Sequence, residues 1–328
     1  SFAPKLTRRV ELPAWAKKSL SLPALPVSAV NPEVTVLENG LRLIVQPENA
    51  GGTISILGKV KGNPHLNVPA GQEGVDQVLD GLFSYGTTTF DRLAFQRALD
   101  DISARESAGI SFSLQVLAEH FDRGAGLLAD NLLHPALSED SFGVVQKETG
   151  GALSGLAQSP SYLSRRALLA ALYPPGDPAL RRATPETVAK LTLEDVRNYH
   201  RKVFRPDMTT VVVVGNVTPD QAKAVIGKYF GDWKAEGPRP ETELPPLPGN
   251  KPSSAIVPDA SRMQDEVTLA ETLGLTRSHP DYYALQVGRH ILSGAFYATR
   301  LYQDLREKTG LVYTVETSIE AGKTRFLF

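Results

Sequence analysis

Cysteine is absent from the 328-residue chain. Disulfides, thiolate nucleophiles and cysteine metal sites are therefore excluded. Charge imbalance is absent too: 35 Lys and Arg against 36 Asp and Glu leave a formal −1. Such a balance gives no reason to expect a nucleic acid or an anionic membrane as partner. No apolar run approaches the roughly 20 residues that span a bilayer. What is present is an ordinary globular composition, 41% hydrophobic and 22% charged, in a length that accommodates two domains.

Residues 1–32 carry Lys5, Arg8, Arg9, Lys17 and Lys18 among apolar residues interrupted by Pro13, Pro23 and Pro26. That pattern is an extended arm or interdomain linker rather than a signal peptide. A first domain is expected over residues 33–236. It opens on a strand, an Asn39-Gly40 turn and a second strand over residues 41–45. A further strand is expected over 53–61. Helical spacing follows at Val75, Val78, Leu79 and Leu82, then at Phe95, Leu99 and Ile102 within a helix over 91–107. Residues 110–117 alternate as a strand, and 119–133 are helical again. Thr184-Pro185, Thr192 to Asp195 and Thr218-Pro219-Asp220-Gln221 each open a helix, the last as a capping box with proline at the first helical position. The β-branched run 209–214 is a buried strand.

Residues 237–252 hold six prolines and form a stiff linker. A second domain is expected over 253–328, with a strand at 266–271, helices at 280–292 and 297–308, and strands at 311–319 and 324–328. This order repeats the start of the first domain and suggests an internal duplication. At about 75 residues, and ending within a strand, the second domain reads as incomplete.

Three stretches, in order, resemble the M16 (pitrilysin-, insulinase- and mitochondrial processing peptidase-like) metallopeptidase family: VLAEHFDRGAGLLADNLLHPALSEDSF (116–142), LTLEDVRNYHRKVFRPDMTTVVVVGNV (191–217) and ILSGAFYATRLYQDLREKTGLVYTV (291–315). The resemblance runs from about residue 32 to 328. It implies an α+β fold of duplicated M16-like domains, each a sheet with helices packed on it, with two halves closing around a peptide chamber. In that family one half binds zinc through a His-x-x-Glu-His helix, with a further glutamate completing the ligand set. Here Gln77 stands at the first histidine, Asp80 at the glutamate and Gly81 at the second histidine, while Glu148 matches the third ligand. Glycine has no ligand atom, so the resemblance implies a half without its own metal, with zinc expected in the partner. Glu119-His120 does not restore the motif, because Val116 stands three residues before it, and the other histidines show no ligand spacing. Glu73, Asp76 and Asp80 form an acidic stripe that reads as a polar chamber wall.

The half opposite the zinc in such enzymes supplies an arginine and a tyrosine seven residues apart, and LREKTGLVY matches both as Arg306 and Tyr313. Arg306 would close a helix and hydrogen-bond a substrate carbonyl. Tyr313 would stand on the following strand and donate to the oxyanion. Each also has a plain structural reading: the helix dipole favours arginine in a last turn, and strand propensity favours tyrosine. Gly294, Ala295 and Phe296 align with a loop that touches substrate in some members. The implied function is a non-catalytic half or subunit of a zinc peptidase, paired with a catalytic M16 half in the same long chain or as a separate subunit, acting on unstructured peptides. The alternatives are a structural scaffold and a peptide-binding homologue without peptidase activity. Exported bacterial members of the family suggest a periplasmic location.

Overall fold

A computed structural model describes residues 30–49, 51–260, 262–294, 297–321 and 326–327. Its chain begins with two antiparallel strands, β1 (Glu33–Val36) and β2 (Arg42–Pro47), joined through the Asn39-Gly40 turn. Gly40 adopts φ +90°, and a Cβ there would lie 2.9 Å from Asp207. Both conditions select glycine. Asn39 donates to the carbonyls of Phe230 and Trp233 at 2.7 and 3.2 Å, tying the turn to the end of a distant helix.

β3 (Thr53–Val60), α1 (Pro64–Asn67), α2 (Val75–Leu82), α3 (Arg92–Asp100), β4 (Arg105–Ser107) and β5 (Ser111–Leu117) follow. The helix expected over 91–107 thus ends at Asp100, and its last residues turn into strand. Ser103 takes φ 51°, which breaks the helix, and the segment then pairs antiparallel with β5. Next come α4 (Phe121–Leu133), α5 (Glu139–Leu156), α6 (Pro160–Leu172), α7 (Pro185–Ala189), α8 (Leu193–Val203), β6 (Thr209–Gly215) and α9 (Pro219–Phe230). Thr184, Thr192 and Thr218 all form capping boxes.

The six strands form one sheet in the order β1-β2-β6-β3-β5-β4, in which only β2 and β6 run parallel. Helices cover one face. Leu43, Val45, Ile54, Ile56, Phe112, Leu114, Val116, Val211 and Val213 point into that layer and are buried. Each such side chain contributes roughly 1.5–3 kcal/mol on leaving water. A strand buried throughout is the expectation for β6, yet its residues alternate between buried and half-buried because, among the described residues, helices cover one face of the sheet.

Between α9 and β7 (Thr272–Leu273) the described residues form neither helix nor strand. The start of this proline-rich segment is nevertheless anchored. Arg205, 2% exposed, pairs with Asp207 at 2.6 Å and donates to the carbonyls of Glu236, Gly237 and Pro238 at 3.2, 3.2 and 2.7 Å. Asn63 and Asn67 donate to the carbonyls of Thr242 and Glu241 at 3.1 and 2.7 Å. Lys61 meets Glu243 at 3.0 Å.

Beyond the linker the regular structure is sparser than expected. The expected strand at 266–271 is not formed, and only β7 follows it. α10 (Tyr282–Arg289) continues as a π-helical turn, His290–Gly294, and the expected helix at 297–308 is a π-helical turn over Tyr302–Glu307. The expected strand at 311–319 is irregular, and pairing resumes only at β8 (Glu320–Ala321) and β9 (Phe326–Leu327), which complete a three-stranded sheet in the order β7-β9-β8. The reason is visible in exposure: Ile256, Val267 and Leu269 are 92%, 81% and 88% exposed. Without a buried face or a pairing strand, β-propensity alone does not form a ladder.

Candidate functional site

Gln77, Asp80 and Gly81, the positions that the resemblance aligns with the zinc motif, lie on α2. Val75, Val78, Leu79 and Leu82 bury its inner face, leaving Gln77 and Asp80 exposed and Gly81 half-buried on the outer side. α5 crosses α2 at Gly81, where an added Cβ would lie 2.7 Å from Val145 Cγ1. The volume that a ligand side chain would need at position 81 is therefore filled by a valine methyl. Glu148 stands one turn further along α5, exposed.

These residues do not fit zinc. The set offers one amide, one exposed aspartate, a glycine whose side-chain space is occupied, and a glutamate on another helix. Among the described residues no group of three or more His, Cys, Asp or Glu is arranged to hold a metal ion.

The acidic stripe on α2 is not a simple solvated wall. Glu73 is a structural clamp: Arg181 contacts its Oε1 through Nη2 at 2.7 Å and Nε at 3.1 Å. The same guanidinium donates to the carbonyls of His65, Val68 and Pro69 at 3.2, 2.8 and 2.8 Å. Burial alone would raise the Glu73 carboxyl, but hydrogen bonds from Arg181 and from backbone amides hold it below the usual range. Asp76 lies in the opposite regime, pushed up by burial and by Asp80. It faces Tyr199 of α8, whose hydroxyl is pushed up by burial and by the Asp76 charge.

The second set of residues lies beyond the linker. Arg306 is in the last turn of the Tyr302–Glu307 segment, and the backbone then reverses through Gly310 at φ +64°. The reversal brings Tyr313 back onto Arg306. The guanidinium carbon lies 4.5 Å from the Tyr313 ring centre and 5.4 Å from that of Tyr302, and Arg306 Nη1 donates to the Tyr313 carbonyl. The expected pair is thus one stacked unit. Its setting differs from expectation, because Tyr313 occupies a bend rather than a strand. Its ring is 76% exposed, whereas Tyr302 beneath is 2% exposed and gives the guanidinium a fixed aromatic floor. An arginine held between two rings keeps its planar donor edge in one orientation.

Gly294 ends the π-helical turn, and Ala295 and Phe296 lie outside the described residues. The turn is secured by Arg289, which donates to the Thr317 carbonyl at 2.8 Å, and by a hydrogen bond between the Ser293 and Thr317 hydroxyls. Tyr302 escaped the sequence reading. Its spacing of four residues before Arg306, one helical turn, was the available signal.

The chain thus combines an α+β fold built on a mixed sheet with a stacked Arg–Tyr pair, and no metal-binding cluster forms among the described residues. Residues 190–328 match the family described as Peptidase M16 inactive domain. The chain is 25% identical over 291 residues to the uncharacterized zinc protease YmxG of Bacillus subtilis, covering 85% of this chain and 68% of that protein. Its fold is similar to that of a peptidase M16 inactive domain from Pseudomonas fluorescens, with a TM-score of 0.74 at 19% identity over 91% of this chain and 73% of that one. It is also similar to the periplasmic protease PqqL of Escherichia coli, with a TM-score of 0.70 at 19% identity over 92% of this chain but 34% of that one.

Proposed function

We propose that this chain is the non-catalytic half of an M16 zinc peptidase, closing a peptide chamber and presenting Arg306 and Tyr313 to a zinc-bearing half. The zinc belongs to that partner, which is either another part of a long chain or a separate subunit, and the substrate is an unstructured peptide. One observation carries the reading: Arg306 is stacked on Tyr313 with its carbon 4.5 Å from the ring centre, although seven residues separate them. A guanidinium and a phenol at that distance can address one carbonyl together, the guanidinium through its N–H fork and the phenol through its hydroxyl. Both are stronger donors to an oxyanion than to a ground-state carbonyl, so their contribution falls on the transition state.

The test is peptide hydrolysis by the chain mixed with a half that carries His-x-x-Glu-His. Arg306→Ala and Tyr313→Phe should each lower kcat on the order of a hundredfold while leaving zinc content unchanged. Cleavage by the mixture at the wild-type rate in both variants would remove the pair from the active site and leave the scaffold reading in its place.

A further inference from the structure

The sheet face turned away from the helices has an ordered chemistry. Strand pairing places Arg42, Thr210 and Lys59 side by side across β2, β6 and β3. The next row is apolar: Val34, Ile44, Val212 and Leu57 run across β1, β2, β6 and β3. Val34 is 49% and Leu57 53% exposed. A third row, Gln46, Val214, Ser55, Gln115 and Arg105, is mostly polar and ends in a cation on the edge strand. Leu57, Ser55, Gln115 and Arg105 also line a shallow concavity of about 400 Å³, to which Glu106 and Leu114, whose side chains turn to the opposite face, contribute as well.

Carboxylates are missing from these three rows. Glu106 of β4 points to the opposite face, where it meets Asn131 at 3.2 Å. Glu48 lies past the end of β2, beside Gln46 at 3.4 Å. Glu243 is taken by Lys61, beyond the end of β3. Arg42, Lys59 and Arg105 form no ion pair among the described residues. An exposed aliphatic band bordered by uncompensated cations is complementary to a ligand that is both aliphatic and anionic.

We infer that this open sheet face binds an extended polypeptide segment in which carboxylates and aliphatic side chains alternate. Neighbouring rows on one sheet face are two residues apart, roughly 7 Å, the same repeat with which an extended peptide presents residues i and i+2 on one side. A carboxylate over the Arg42–Lys59 row then places an aliphatic side chain over the valine–leucine row. Residues 1–32 are unsuited to be the occupant, since they carry Lys5, Arg8, Arg9, Lys17 and Lys18 against the single acid Glu11. A nucleic acid would match the cations but leave the aliphatic band uncovered. The inference rests on the chamber reading for the source of the peptide, and it names the substrate class. Binding is measured on the chain alone, so its outcome is independent of hydrolysis.

The experiment is fluorescence anisotropy of a labelled peptide repeating Glu-Ser-Val-Ser, titrated with the full chain. The same peptide with Lys for Glu serves as control, and a single-stranded oligonucleotide as competitor. The acidic peptide should bind saturably and the lysine peptide should not. Arg42→Glu with Lys59→Glu should weaken binding on the order of tenfold or more, increasingly so at low salt. Leu57→Ser, at an exposed position, should weaken it without changing the salt dependence, and circular dichroism checks that each variant is folded. Equal affinity for both peptides, no saturable binding, or affinity untouched by the variants would overturn the inference. So would displacement of the peptide by the oligonucleotide with the same charge dependence, since the face would then recognise phosphate. Intact hydrolysis by a reconstituted mixture alongside absent binding would sink this inference alone. Intact binding alongside absent hydrolysis would sink the peptidase reading alone.

Discussion

Glu106 is an ionisable group placed where ionisation is costly. It pairs with Leu114 across β4 and β5, so its side chain enters the layer between sheet and helices. There both carboxylate oxygens meet Asn131 Nδ2, at 3.2 and 3.3 Å. Burial outweighs that hydrogen bond and raises the carboxyl from 4.5 to about 7. A folded-state value above the unfolded one means that the native protein holds a proton which the unfolded chain releases. The penalty is absent below about pH 4.5, grows as pH rises, and is complete above about pH 7. The rise from 4.5 to about 7 sets a ceiling of about 3 kcal/mol, and solvent at the edge strand lowers it to about 2 kcal/mol. Glu106→Gln keeps the shape and removes the charge. It should raise the unfolding free energy by about 2 kcal/mol at pH 8 and leave it nearly unchanged at pH 4. Urea unfolding followed by tryptophan fluorescence at both pH values measures the difference. A variant that is no more stable than wild type at pH 8, or a gain of equal size at both pH values, would refute the reasoning.

Two further outcomes follow from side-chain packing. Gly81→His, which restores a ligand residue on α2, should cost about 1–3 kcal/mol, because its Cβ meets Val145 Cγ1 at 2.7 Å in a close-packed crossing. Val145→Ala in the same chain should recover part of that loss, and zinc content measured after dialysis should stay at the wild-type level in both. Arg205→Ala should destabilise the protein by about 2 kcal/mol in urea, since it removes a buried guanidinium from three carbonyls and from half-buried Asp207, which keeps only the exposed Arg239 at 2.9 Å. It should also speed hydrogen exchange and proteolysis within residues 236–243, and unchanged exchange there would show that the linker does not depend on this guanidinium.

Much of the first region was legible as sequence. The alternation of strands, the Asn39-Gly40 turn and the three threonine-capped helices are local signals, and each formed where expected. α5 and α6 were not read as helices, because Gly150, Gly151 and Gly155 weaken both the pattern and the propensity of α5, and α6 buries little beyond Leu172. Their N-caps, Ser138 and Ser159, were present but unsupported by a strong apolar stripe. Beyond the linker the same β-branched and aromatic runs did not become strands. A ladder requires a partner and a covered face, and neither is a property of the run itself.

The same division holds for function. Sequence alone determined that position 81 is a glycine, with no donor in any conformation, and that an arginine and a tyrosine stand seven residues apart. Only the tertiary structure decided that the space at position 81 is closed by Val145, and that Glu73 belongs to an Arg181 clamp rather than to an acidic wall. It also decided that Arg306 is stacked between Tyr302 and Tyr313. Chemical identity is written residue by residue, whereas occupied volume, pairing and orientation depend on segments tens or hundreds of residues apart meeting in space.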